Sequence, residues 1–421
     1  MDILIKNAHI VSPADNIDEV ADILVQDGKI AAIGNALQAD AKVIDARGLY
    51  AIPGLVDMHV HLRDPGQTQK EDIITGCNAA AAGGVTSLLA MPNTAPTTDN
   101  PETVRYILDK AKNAKAKVYV AASITKGLKS EEPTDLKALK AAGALGLTDD
   151  GRPVENTKYL SDAMKLAPEL GMTVVAHCED LFLADGGKIN KGEVSEALGV
   201  KGIPASAEDC GTAREIALAA AENVPIHICH VSTKTSVALV RDAKHRGVRV
   251  TAETAPHYFS LTEKELLKRD ADYRMNPPLR TATDVNAIIE GLVDGTLDCI
   301  ATDHAPHTPE EKADFEAAPN GSIGMETSLA VGITYLVKSG IIPFAELVQK
   351  MSVNPAKILG IDAGTLAIGA VADIALVNLD EEWTVDVNRL HGKSKNTPFK
   401  GLTLQGKVKT TLLDGEVVYQ D

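Results

Sequence analysis

The chain has 421 residues, 44% of them hydrophobic and 24% charged, with a formal net charge of −16. That length suits a large barrel or sandwich with a smaller appendage, while the acidity leaves no basic stripe to neutralise nucleic-acid phosphates. No run of 18 apolar residues can span a membrane, the charged start MDILIKNAHIVSPADN shows no signal peptide, and five scattered cysteines without a CxxC pair fit a reduced, cytosolic protein.

In chain order, the first 50 residues alternate apolar and polar positions in MDILIKNAHIV, ADILVQDGKIAAIG and KVIDARGLYAIPG, punctuated by DGK and ARG. They predict short strands joined by tight turns. From residue 55 the style changes, and short apolar runs alternate with helical patterns. The runs are 55–62, 85–91, 117–123, 144–149, 172–178, 225–231, 248–254 and 298–304. Between them, KEDIITGCNAAAAGG, NPETVRYILDKAKNAKA and AEDCGTAREIALAAAEN suit amphipathic helices. Eight strands with intervening helices over some 300 residues are what a TIM-like (β/α)8 barrel requires; an open doubly wound sheet is the alternative, and the count of eight favours the barrel. The last 60 residues, with GTLAIGAVADIALVNLD and GLTLQGKVKTTLLDGEVVYQD, return to the strand style. The expected organisation is an α/β chain: a barrel over residues 53–362, and a small β-sandwich domain formed by both termini, residues 1–52 and 363–421.

A parallel barrel keeps its active site at the C-terminal ends of its strands. His59 and His61 close the first run and share a face through the two-residue strand period. Asp149 and Asp150 follow the fourth run, His177 ends the fifth, His230 the sixth and Asp303 the eighth. A single histidine at a strand end is ordinarily a hydrogen-bonded residue, but convergence from five strands on one rim makes a plausible site for two divalent metals sharing a carboxylate. His227 lies on the opposite parity from His230 and reads as structural. Parity also points Cys178 and Cys229 away from the metals. His304 should point elsewhere, and His257 reads as a supporting or structural residue. Arg63, two residues past His61, offers a fork for a substrate carboxylate. Asn93 and Asn276 sit in loops after the second and seventh strands, where each can hydrogen-bond an amide or carboxylate or simply serve turn chemistry. His307 follows the eighth strand and can contact substrate.

The segments DMHVHLRDP and ATDHAPHTPEEK resemble the two signatures of dihydroorotases in the amidohydrolase superfamily, specifically the bacterial class with an aspartate in the metal bridge. The resemblance covers essentially the whole chain. It implies that His59, His61 and Asp303 bind one zinc, His177 and His230 the other, and that Asp150 rather than Asp149 bridges them. It further implies that Arg63 and Asn93 hold the substrate carboxylate, that His61, Asn276 and His307 also reach substrate, and that Asn320 and Gly321 touch the pyrimidine through the main chain. Asn320 departs from the phenylalanine found in many relatives. The lysine that bridges the metals in much of the superfamily has no counterpart after the fourth strand, and Lys126 reads as solvated.

The implied reaction is reversible opening of L-dihydroorotate to N-carbamoyl-L-aspartate in pyrimidine synthesis, with Asp303 as general acid and base. The rivals are another cyclic amidohydrolase, such as an allantoinase or hydantoinase, and a non-catalytic barrel kept as an assembly subunit. A homo-oligomer is expected, and a complex with another pyrimidine-pathway enzyme stays open. The polar stretch 307–324 is the candidate for a moving segment.

Overall fold

A computed structural model describes residues 2–421. Eight strands, β1 (Leu55–Val60), β2 (Val85–Ala90), β3 (Lys117–Ala122), β4 (Gly146–Leu147), β5 (Thr173–Ala176), β6 (Ile226–Ile228), β7 (Val250–Thr254) and β8 (Cys299–Ile300), pair in sequence order, and every pairing is parallel. Each strand lies within its expected apolar run. All six residues of β1 and all six of β2 are buried, as strands must be when side chains fill the barrel and helices cover it.

The ring is drawn together between β1 and the chain just beyond β8. Val60 pairs with His304 in a parallel bridge, and the His61 N–H donates to the His304 carbonyl at 2.8 Å. Asp57 adds a side-chain stitch over the same seam, accepting from Thr302 N at 3.0 Å and Thr302 Oγ1 at 2.6 Å.

The three expected helices form over Ile73–Ala82, Pro101–Ala111 and Ala205–Glu222. Asp72 caps the first by accepting from Thr75 N at 2.9 Å. Asn100 caps the second by accepting from Thr103 N at 2.9 Å, and Pro101 occupies its first turn, where no N–H is needed. Each such cap contributes about 1 kcal/mol.

Both termini enter one further sheet. Ile3–Ser12, Ile17–Gln26, Lys29–Gly34, Lys42–Asp45 and Tyr50–Pro53 come from the N-terminal end, and Ile374–Thr384, Thr403–Leu413 and Glu416–Gln420 from the C-terminal end. They join where Tyr50–Pro53 runs antiparallel to Ile374–Val377. Ile3–Ser12 pairs along its first half with Lys42–Asp45 and along its second with Tyr50–Pro53, both in parallel. The sheet therefore forks around an apolar core that includes Ile5, Ile10, Ile23, Ile30, Ile374 and Leu412, separate from the barrel core. Among the described residues no helix is long and apolar enough to cross a membrane.

Candidate metal centre and substrate pocket

The strand ends bring six buried side chains to one point. Asp150 is at the centre: its Oδ1 lies 3.2 Å from His59 Nε2, 3.4 Å from His177 Nδ1 and 3.5 Å from His230 Nε2, and its Oδ2 lies 3.4 Å from His61 Nε2. Asp303 Oδ1 is 3.1 Å from His61 Nε2 and 3.7 Å from His59 Nε2. Two donor groups result, His59–His61–Asp150 and Asp150–His177–His230, with Asp150 common to both. Asp149, its neighbour, is turned the other way and accepts from the Ile124 and Thr125 amides at 2.7 and 3.0 Å. The two aspartates are thereby told apart.

Whether the cluster suits metal ions can be tested on its orphaned atoms. His59 Nε2 and Asp150 Oδ1 are fully buried and have no hydrogen-bond partner, a costly condition for polar atoms unless something else engages them. Imidazole nitrogens and carboxylate oxygens are the donors that zinc and similar divalent ions take. Burial raises the Asp150 carboxyl, but His59, His177 and His230 outweigh it and hold the group well below its ordinary value. Asp303 is likewise held low against burial, by His61 and His59. Both are therefore ionised and able to ligate. The residues fit the ions.

Further side chains orient these donors. His59 Nδ1–H donates to Glu253 Oε1 at 2.9 Å, leaving Nε2 to face Asp150. Glu253 also accepts from His227 Nε2 at 3.2 Å, and His227 Nδ1 meets Thr251 Oγ1 at 2.8 Å. His61 Nδ1–H donates to Asn93 Oδ1 at 2.7 Å. His177 Nε2–H donates to Glu179 Oε2 at 3.2 Å. A carboxylate or carbonyl behind each of these three imidazoles fixes its tautomer and raises its basicity. Glu253 and Glu179 escaped the sequence reading, which looked for ligands and not for what holds them; VTAET at the end of β7 and HCED beside His177 were the available signals.

His227, read from its parity as structural, is one residue removed from His59 through Glu253. His304 turns away and accepts from Gly324 N at 3.2 Å through Nδ1. His257 is buried, and burial lowers its pKa to about 4. Cys178 points away, its Sγ 3.6 Å from the Ala176 carbonyl. Cys229 lies behind the cluster: its Sγ belongs to a group with His59 and Glu253 whose donor atoms all lie within 4.8 Å of one another, separate from the two groups that share Asp150. Burial pushes the Cys229 thiol up, so it faces His59 as a neutral group. Arg63 and Asp303 hold positive φ values, +60° and +48°, which for residues with a Cβ is stored strain of the kind concentrated at functional sites.

Every residue expected to contact substrate (His61, Arg63, Asn93, Asn276, His307, Asn320 and Gly321) lines one cavity of about 310 Å³ above the cluster. Arg63 is buried, its Nε donating to the Pro306 carbonyl at 3.1 Å. Among the described residues it forms no ion pair, and burial lowers its pKa only to about 10, so a cation without a counter-ion faces the cavity. Asn276 Nδ2 donates to Glu179 at 3.2 Å. His307 Nε2 lies 3.0 Å from the Asn320 carbonyl and 3.4 Å from Arg63 Nη2, while burial and Arg63 lower its pKa to about 3 and keep it neutral. Gly321 has its N–H committed to the Arg274 carbonyl at 2.9 Å, and its own carbonyl accepts from Asn396 Nδ2 at 3.1 Å. Lys126 is exposed and paired with Glu132, and no lysine lines the cavity.

Residues 48–236 match the family model described as dihydro-orotase-like, and residues 213–419 match that of the amidohydrolase family. Dihydroorotase from Acetivibrio thermocellus is 50% identical over 99% of both chains, and dihydroorotase from Geobacter metallireducens is 49% identical over the whole of both. Among solved structures, L-hydantoinase (dihydropyrimidinase) from Arthrobacter aurescens superposes with a TM-score of 0.90 at 27% identity, covering 100% of this chain and 96% of that one. Dihydropyrimidinase from Brevibacillus agri NCHU1002 superposes at 0.88 with 28% identity, covering 100% and 95%. The backbone is thus shared with a hydantoinase and a dihydropyrimidinase at 27–28% identity, whereas the two relatives near 50% identity over the full length are dihydroorotases. The chain belongs to the dihydroorotase family of the amidohydrolases.

Proposed function

We propose that this chain catalyses the reversible hydrolysis of L-dihydroorotate to N-carbamoyl-L-aspartate, a step of pyrimidine synthesis. The observation that carries this reading is the buried, unpaired Arg63 guanidinium beside a six-donor cluster. A site built to cleave a cyclic amide has a cation in place for a substrate carboxylate.

Two zinc ions, one held by His59, His61 and Asp303, the other by His177 and His230, with Asp150 between them, would polarise the amide carbonyl and acidify the attacking water. Arg63 and Asn93 hold the substrate carboxylate, fixing the ring so that its amide carbon lies over the cluster, a gain through orientation. His61, Asn276, His307, Asn320 and Gly321 border the ring. Asp303, ionised and with Oδ2 free, takes the proton of the water as the new C–O bond forms. It then delivers that proton to the ring nitrogen as the C–N bond breaks, so that the ureido group leaves neutral. The reverse sequence closes the ring.

A hydantoinase or allantoinase shares the fold, so the superpositions do not separate the readings. Arg63 in the cavity and a bridge made by aspartate, with no lysine nearby, favour the carboxylated pyrimidine ring. The protein is proposed to work in the cytosol as a homo-oligomer. The test is cyclisation of N-carbamoyl-L-aspartate by zinc-loaded protein, with allantoin and hydantoin hydrolysis measured alongside. Selective turnover of the first is expected. Turnover of only the other two would overturn the substrate assignment, and inactivity on all three with metal bound would favour a non-catalytic subunit.

A further inference from the structure

One wall of the cavity is formed by two loops without long regular elements, the segment after β7 that carries Asn276 and the segment after β8 that carries Asn320 and Gly321. None of Asn276, Asn320 and Gly321 lies in a barrel strand, although Ser322, next to Gly321, pairs with His304 in an isolated parallel bridge. Between the two loops lies Lys312, only 9% exposed. Its ammonium donates to three main-chain carbonyls: Ala271 at 2.9 Å and Arg274 at 3.2 Å on the first loop, and Pro319 at 3.0 Å on the second. All three N–H donors are thereby used, and among the described residues no carboxylate forms an ion pair with it. A lysine placed for charge pairing would meet a carboxylate; this one is placed to gather carbonyls.

Arg274 makes the reciprocal connection. It is buried, and its Nη1 donates to the carbonyls of Phe315 and Glu316, the latter at 3.1 Å, while its Nη2 donates to Asn320 Oδ1 at 3.1 Å. The Arg274 carbonyl, besides receiving Lys312, accepts from the Gly321 N–H at 2.9 Å. The guanidinium also lies over the Phe315 ring, 5.9 Å from its centroid. At Gly321, with φ +141°, an added Cβ would come within 2.8 Å of Ala305 Cβ and 3.0 Å of His307 Nε2, so the wall also depends on the absence of a side chain there.

We infer that Lys312 and Arg274 are positioning residues that clamp the two loops together, and that through Gly321 and Asn320 they set the affinity for substrate without entering the chemistry. This rests on the proposed dihydroorotase reading, since the wall matters only if the cavity takes the ring. The two cations do not touch the metal cluster; their effect on the reaction passes through the shape of the wall.

The experiment compares full-length, zinc-loaded wild type with Lys312→Met and Arg274→Gln. The expected result is a rise in KM for N-carbamoyl-L-aspartate of about tenfold, the loss of one good interaction, with kcat within about threefold and zinc content unchanged. Hydrogen exchange at the Gly321 amide should accelerate in both variants, a readout independent of turnover. An unchanged KM with unchanged Gly321 exchange would overturn the inference, as would a fall in kcat at constant KM, which would put these residues in the chemistry. If Lys312→Met does not fold, Arg274→Gln decides, because it cuts only the guanidinium contacts. An inactive wild type would refute the functional reading separately, leaving Gly321 exchange as the test of the clamp.

Discussion

The floor and the wall of the cavity are held by different means. On the floor, His59, His61, Asp150, His177, His230 and Asp303 stand at the ends of barrel strands, and acceptors such as Glu253 and Asn93 fix the rings of His59 and His61 from behind. On the wall, Asn276, Asn320 and Gly321 belong to loops whose main-chain carbonyls are gathered by Lys312 and Arg274. Carbonyl-to-cation bonds fix a path through space, whereas carboxylate-to-imidazole bonds fix a tautomer and a lone pair. Changes to the floor should therefore reach turnover and metal, and changes to the wall should reach affinity.

The largest effect tests the floor at Asp303, the proposed proton-transfer group. Asp303→Asn should lower turnover by about 10³-fold, within the range for removing a general acid–base group, while thermal stability stays near that of wild type. Near-wild-type turnover in a metal-replete variant would remove Asp303 from the role proposed for it. Arg63 stands between floor and wall, and Arg63→Met should raise KM for the carboxylated substrate by about 10²-fold, the worth of a buried charge-assisted interaction. Hydrolysis of a cyclic amide lacking the carboxylate, if detectable, should be spared. Equal losses on both substrates would mean that Arg63 supports the fold of the site and does not read the carboxylate.

Glu253→Gln probes the support behind the floor. The amide keeps the size of the side chain but loses the charge that His59 Nδ1–H and His227 Nε2–H both address. Metal affinity should weaken by about 10- to 100-fold, measured by competition with a chromophoric chelator, and activity should return at high zinc. Unaltered affinity would show that His59 is held by packing alone.

The same contrast explains what the sequence disclosed. Strand ends and parity brought the six floor residues onto one rim, because ligands on a barrel are spaced by the period of its strands. The choice of Asp150 over Asp149 needed the resemblance; the structure gives the reason in the Asp149 bonds to Ile124 and Thr125. Glu253 was overlooked because it touches ligands and not the cavity. Lys312 closes the signature ATDHAPHTPEEK, but neither it nor Arg274 carries a periodic signal that names a partner: their partners are carbonyls, which every residue has, so no side-chain pattern marks where they bind. The stretch 307–324, read from its length and polarity as a candidate moving segment, packs against 271–274 through those two cations in the conformation described.

That dependence on a buried ammonium gives the wall a pH response. Burial lowers the Lys312 pKa from 10.5 to about 7; Asp272, Asp270 and Glu311 oppose the shift and Arg274 adds to it. Between about pH 7 and 10.5 the unfolded chain therefore binds more protons at this position than the folded one, so this group makes stability rise with pH across that window, by at most about 1.4 kcal/mol per unit. Below pH 7 both states are protonated and above 10.5 neither is, so the contribution is flat on either side. Lys312→Met should abolish this part of the slope: wild type should gain stability relative to the variant between pH 7 and 9.5, read from urea midpoints at constant m-value. Parallel midpoints over that range would show that the ammonium keeps its charge throughout. The clamp would then be a permanent fixture of the wall and not one near its titration point.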